Sequence, residues 1–123
     1  IDDMSLGDLQ DKPGMQTIIQ SQYVDFVQGL FQGQAGGIFK KYGKFDFVWF
    51  DCGEAAEYRS FLREYWDICS GYLFFHFTYS NGRPNPKLET ILSELTGDPV
   101  IISMVEPHKV RQGSITIVKK QLI

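Results

Sequence analysis

Residues 45–77 read FDFVWFDCGEAAEYRSFLREYWDICSGYLFFHF, and this stretch decides the fold. Phe45-Asp46-Phe47-Val48-Trp49-Phe50 is apolar at every position but Asp46, which predicts a parallel strand buried on both faces. Asp51-Cys52-Gly53 ends it. Tyr58, Phe61, Leu62, Tyr65, Trp66 and Cys69 then recur at helical spacing and form one continuous apolar stripe. Glu54 and Glu57 fall near the start of that helix, where the helix dipole favours negative charge. Ser70-Gly71 stops the helix, and Tyr72-Leu73-Phe74-Phe75-His76-Phe77 is a second apolar strand. A strand–helix–strand unit of this length is a βαβ crossover, and a crossover requires parallel strands.

Upstream, Asp11-Lys12-Pro13-Gly14 has turn chemistry, and Met15, Ile18, Ile19 and Gln22 follow a short helical spacing. Residues 1–22 form a poorly defined lead-in. Tyr23-Val24-Asp25-Phe26-Val27 is rich in β-formers and predicts a strand ending near Gln28-Gly29. Residues 30–44 predict a weak helix with a glycine-loosened start at Gly33, Gly36 and Gly37. Downstream, residues 81–86 read as a loop, with Asn85 as helix N-cap and Pro86 at the first helical position. Leu88, Ile91, Leu92 and Leu95 give the next helical face, ended by Gly97 and Pro99. Strands Val100–Val105 and Ser114–Val118 follow, and their short helix-free connection predicts an antiparallel pair. The expected class is α/β, with a mostly parallel sheet closed by an antiparallel hairpin.

The chain has 123 residues, the size of one domain. Its 10 Phe, 6 Tyr and 2 Trp supply apolar surface that a disordered segment lacks. A formal net charge of -3 argues against nucleic acid or anionic lipid as partners held by bulk electrostatics. No apolar run reaches membrane-helix length. Two cysteines cannot staple a fold of this size, which points to a reduced, cytoplasmic setting.

Ligands of open parallel sheets bind beyond the carboxyl ends of the strands. That rule selects Gly29-Leu30-Phe31, Asp51-Cys52-Gly53 and Phe77-Thr78-Tyr79-Ser80-Asn81. Asp51 is the sharpest candidate: its carboxylate can contact a ligand, cap the following helix, or do both. His76 lies one residue inside the end of its strand, as either a satisfied core histidine or an acid–base group. Cys52 is a conceivable nucleophile at a helix start. Cys52 and Cys69 lack zinc-ligand spacing, and His108 falls in the hairpin loop. The glycines at 33, 36 and 37 lack the spacing of a phosphate loop.

Val24-Asp25-Phe26-Val27-Gln28-Gly29, followed by Gly43–Asp51, resembles the middle of class I S-adenosylmethionine-dependent methyltransferases, nearest the small-molecule O-methyltransferase branch. The helix ending at Cys69-Ser70-Gly71, the strand Tyr72–Phe77 and the hairpin 100–120 look like that family's later elements, whose last two strands include one antiparallel member. The resemblance runs from about residue 23 to 120. It implies a Rossmann-like methyltransferase sheet and methyl transfer from S-adenosylmethionine to a small-molecule acceptor. It also implies that Gly29, Leu30 and Phe31 lie near the adenine and that Asp51-Cys52 lies near the methionine end or the acceptor. Asp2 or Asp3 would then hold the ribose.

The sequence departs from the family in three places. The family's first strand and Gly-rich loop have no counterpart, so the chain is expected to be a C-terminal portion of a larger domain. Leu30 stands where the family carries an acidic residue. The Asp-Asn pair of the metal-dependent branch falls on Phe77 and Thr78, neither a good magnesium ligand. The expected enzyme is therefore metal-free, with His76 as possible base. The alternative is a non-catalytic interaction domain, in which an unpaired apolar edge beside Phe45–Phe50 recruits a second copy or a partner chain.

Overall fold

The computed structural model describes residues 1–2, 12–51, 55–109 and 113–121. The chain forms two compact units, Ile1–Gln34 and Ala35–Ile123.

In the first unit, α1 (Pro13–Gln20) begins with Pro at its first turn, where the missing N–H costs nothing. It is short and buries none of its residues. Among the described residues the strand expected at Tyr23–Val27 does not form, and an isolated parallel bridge joins Asp2 to Gln28. The Asp2 N–H donates to the Val27 carbonyl at 3.1 Å, and the Gly29 N–H donates to the Asp2 carbonyl at 3.0 Å. β-propensity measures fit to a paired, half-buried surface, and Tyr23 and Val24 are exposed.

The second unit contains α2 (Ala35–Tyr42), β1 (Phe45–Phe50), α3 (Ala55–Tyr65), β2 (Cys69–His76), β3 (Tyr79–Ser80), β4 (Arg83–Pro84), α4 (Pro86–Ser93), β5 (Val100–Val105) and β6 (Ser114–Lys119). The main sheet has the order β1-β2-β6-β5. The β1–β2 pair is parallel, while β6 is antiparallel to both β2 and β5. The βαβ expectation therefore holds. By pairing the sheet is mixed rather than mostly parallel, because β6 inserts between two strands that run the same way.

The α3 stripe packs as its spacing predicts, with Tyr58, Phe61, Leu62 and Tyr65 buried. Phe50 stacks on Phe61 at 4.4 Å between centroids, and Phe75 meets Phe61 edge-on at 5.5 Å. Leu73, Phe75 and Val118 complete this face, each with no exposed surface. Such fully buried aromatics contribute several kcal/mol each, about 3–5 for truncation to Ala.

Two expectations are corrected here. Cys69 does not extend the helical stripe: α3 ends at Tyr65 and Cys69 opens β2. The Phe45 N–H donates to the Ile68 carbonyl at 2.8 Å, and Ser70 Oγ donates to the Phe45 carbonyl at 3.1 Å, so the sheet claims these residues. Lys120 Nζ donates to the Trp66 carbonyl at 2.6 Å, just past the end of α3. Second, β1 is covered on one face only. It is an edge strand, and Phe47 and Trp49 on its other face are 51% and 45% exposed.

Of residues 81–86, expected as loop, Arg83–Pro84 form β4, which pairs with β3 in a hairpin. Asn81 at φ 54° and Gly82 at φ 75° occupy its turn, the left-handed pair that an Asn-Gly hairpin requires. Asn85 caps α4 as expected, its side chain accepting from the Lys87 N–H at 2.9 Å.

The β1–β2 register shifts between Phe45 and Phe47, where β2 carries one extra residue. At this irregularity Gly71 lies so close to β1 that a Cβ would meet the Asp46 carbonyl oxygen within 2.3 Å. Gly71→Ala is expected to lower stability by about 2 kcal/mol through this overpacking, read as an earlier urea midpoint with an unchanged slope.

Candidate functional site

The register that follows the irregularity pairs Phe50 with Phe75. The next residues in each strand direction, Asp51 and His76, then stand side by side at the carboxyl ends of the two parallel strands. His76 Nδ1 lies 3.1 Å from Asp51 Oδ1. The imidazole is partly covered and the carboxylate more open, with side-chain exposures of 24% and 42%. The two residues selected separately from the sequence are thus one dyad. Asp51 accepts from Nδ1–H, which places the basic lone pair of the neutral ring on Nε2.

Aromatic rings fix the histidine. His76 stacks on Phe77 at 3.9 Å and tilts against Trp49 at 5.6 Å. The backbone beyond it is held in an unusual shape. Phe77 has φ 55°, a left-handed conformation that costs a non-glycine residue about 1–2 kcal/mol. Its N–H donates to the Ser114 carbonyl at 3.1 Å, and the Tyr58 hydroxyl donates to its carbonyl at 3.4 Å. The Tyr79 N–H donates to Ser114 Oγ at 3.1 Å, and the Asn85 N–H donates to the Thr78 carbonyl at 2.7 Å. Sequence reading selected Thr78 with the segment 77–81 but missed Tyr58 and Ser114, which shape this end of β2 with it. The available signal was a polar residue at the end of each apolar strand, Thr78 after β2 and Ser114 at the start of β6.

Thr78 carries a second oddity: its side chain is fully buried, and Oγ1 has no hydrogen-bond partner. Elsewhere on β6, Thr116 is equally buried, but its hydroxyl pairs with Ser103 Oγ at 2.8 Å.

The other expected contacts fall elsewhere. Cys52, Gly53, Glu54 and Asp3 lie outside the described residues. Gly29, Leu30 and Phe31 belong to the first unit, where Gly29 adopts φ 146° and Leu30 is 62% exposed. The Phe31 carbonyl accepts from the Gln34 N–H at 3.3 Å. Among the described residues no group of three or more His, Cys, Asp or Glu is placed to hold a metal ion. Cys69 is buried, its thiol donates to the Tyr72 carbonyl at 3.3 Å, and burial pushes its pKa up, the opposite of what a nucleophile needs. No helix among the described residues is long and apolar enough to cross a membrane.

A separate groove of about 270 Å³ runs between α3 and α4, floored by Leu62, Trp66, Ile91 and Leu95. Arg59 and Glu94 satisfy each other there through two contacts, at 2.6 and 3.2 Å. The Arg59 guanidinium holds the Glu94 carboxyl below its ordinary range. That pair ties the two helices together, and Arg63 and Asp67 also line the groove.

Compared with known proteins, the chain matches no family model, no curated relative and no solved structure.

The two buried threonines give a paired test. Thr78→Val should leave stability unchanged or raise it by up to about 1 kcal/mol, because it removes a buried hydroxyl that has no partner. Thr116→Val should cost about 1 kcal/mol, because it strands Ser103. Thermal melts of the two variants side by side check both signs.

Proposed function

We infer that the chain is a class I methyltransferase-like domain, in which His76, oriented by Asp51, is the general base for a small-molecule methyl acceptor. The observation that carries this reading is the 3.1 Å Asp51–His76 contact at the carboxyl ends of adjacent parallel strands. In an open parallel arrangement that end is where ligands bind. The final hairpin adds support. Of its two strands, β5 runs in the direction of β1 and β2 and β6 runs opposite to all three, in keeping with the single antiparallel member that the family resemblance implies.

The chemistry follows from the dyad. An acceptor hydroxyl within hydrogen-bond reach of Nε2 gives up its proton to His76 as its oxygen becomes nucleophilic. The Asp51 carboxylate stabilises the imidazolium so formed and keeps the ring from turning. Trp49 and Phe77 restrict the ring from its sides, so that the base is already oriented before an acceptor arrives. S-adenosylmethionine, when bound, supplies the electrophilic methyl group. Asp51 suits its cationic end, because an exposed carboxylate at a strand terminus favours positive charge.

One observation favours a non-catalytic role as a second reading. β1, at the edge of the sheet, presents exposed aromatic residues.

Isothermal titration with S-adenosylmethionine and with its demethylated product separates the two readings. Saturable heat from either ligand supports the methyltransferase reading; no heat at millimolar ligand overturns it for this chain. In a chain that binds the donor, His76→Gln should retain donor affinity while methyl transfer to an acceptor falls by about 100-fold.

A further inference from the structure

The groove between α3 and α4 lies wholly within the second unit, and helical spacing builds both of its walls. Leu62 and Trp66 stand four residues apart at the end of α3 and just past it, and Ile91 and Leu95 stand four apart on and just past α4. Leu62 and Ile91 are buried, while Trp66 and Leu95 keep part of their surface. The indole is also held in place. Lys120 Nζ lies 4.4 Å from the Trp66 ring centroid and donates to the Trp66 carbonyl, yet Lys120 does not line the groove. It braces the ring from outside, so the apolar floor is set before a ligand arrives.

Four charged side chains line the same groove, and one of them is left over. Arg59 and Glu94 are used up on each other, both terminal nitrogens against both carboxylate oxygens. Asp67 already faces a cation: burial draws the Lys120 pKa down, and Cys69 and Asp67 push it back up. Arg63 is exposed, and among the described residues it forms no ion pair. Glu94 cannot serve it fully, because the Arg59 hydrogen bond comes first in holding that carboxyl low, with the charges of Arg59 and Arg63 behind it. A guanidinium is a planar fork that matches a carboxylate, so the leftover group asks for an anion. A cationic ligand would meet two arginines and a carboxylate that Lys120 already serves.

The volume limits the size of the occupant. The 270 Å³ of the groove holds roughly nine non-hydrogen atoms, at the ~30 Å³ that a water molecule takes in the liquid. That suits one phenyl ring with a short chain and falls just below the range of about 300–1,000 Å³ for drug-sized sites.

We propose that this groove binds a small amphipathic carboxylate, with its phenyl or short alkyl body on Leu62, Trp66, Ile91 and Leu95 and its carboxylate on Arg63. The groove shares no lining residue with the Asp51–His76 dyad, so the site stands independently of any methyl-transfer chemistry.

Titration of the full chain with 4-phenylbutyrate tests this, followed through the methyl resonances of Leu62, Ile91 and Leu95. Saturable shifts of those methyls are expected, with a dissociation constant of about 1 mM. 4-Phenylbutylamine, similar in shape and opposite in charge, should bind about tenfold more weakly. Arg63→Gln should weaken phenylbutyrate binding by about tenfold. Arg83→Gln, at an exposed arginine outside the groove, should leave it unchanged. Circular dichroism verifies that both variants fold. The absence of saturable shifts at the three residues overturns the proposal. So does equal affinity for the two probes, an Arg63→Gln variant that binds as the wild type does, or an equal loss in Arg83→Gln.

Discussion

The close approach of β1 and β2 at Gly71 sets the arrangement of everything near the dyad. Between the pair Phe45–Cys69 and the pair Phe47–Tyr72, β2 advances by three residues while β1 advances by two. Without that extra residue, Phe50 would stand beside Phe74, and Asp51 would face Phe75 in place of His76. Every β2 side chain beyond Gly71 would also turn to the other face of the sheet. Phe75, which closes the core against Phe61 and Tyr58, would then point away from it. A single irregularity therefore aligns the buried aromatic cluster and the polar dyad together, and it is possible because residue 71 has no side chain.

This dependence explains what was legible in the sequence. The elements of residues 45–77 follow from local pattern: an apolar run, a helical stripe, a second apolar run. The cap at Asn85 is equally local, since its side chain needs only the N–H two residues ahead. Asp51 and His76 were recognisable one at a time, each from its place at a strand end. Their partnership was not, because it depends on how two strands slide past each other, and Gly71 reads in sequence only as a helix stop. The exposed face of β1 was hidden for a related reason. An all-apolar strand looks the same whether one or both of its faces are covered. Tyr23–Val27 shows the converse, a stretch with strand composition in which no strand forms among the described residues.

The polar residues at the strand ends hold the backbone around the dyad. Phe77 is kept in a left-handed conformation by Ser114 on one side and the Tyr58 hydroxyl on the other. Ser114 thereby links the start of β6 to the residue after His76, and Tyr58 links α3 to the same point. The histidine is fixed from its own strand, from the helix that follows β1, and from the strand that separates β2 from β5. Buried hydroxyls are costly unless paired, and their concentration here, at Ser114, Thr116 and Thr78, marks this end of the sheet as the place where packing alone did not choose the residues.

The insertion of β6 between β2 and β5 has a consequence for how the protein is made. β5 has no other partner in the sheet, so when it leaves the ribosome it has nothing to pair with until β6 follows. During that interval the β2 edge and the whole of VIISMV are bare at once. Sheet closure is then a late, long-range event, slower than the local β1–α3–β2 folding it completes. The interval is short in residues, and its two ends meet, with the Glu106 N–H donating to the Gly113 carbonyl at 3.1 Å. Asp98 and Pro99 before β5, and Glu106 and Pro107 after it, hinder its pairing with another chain during the one stage when that strand stands alone.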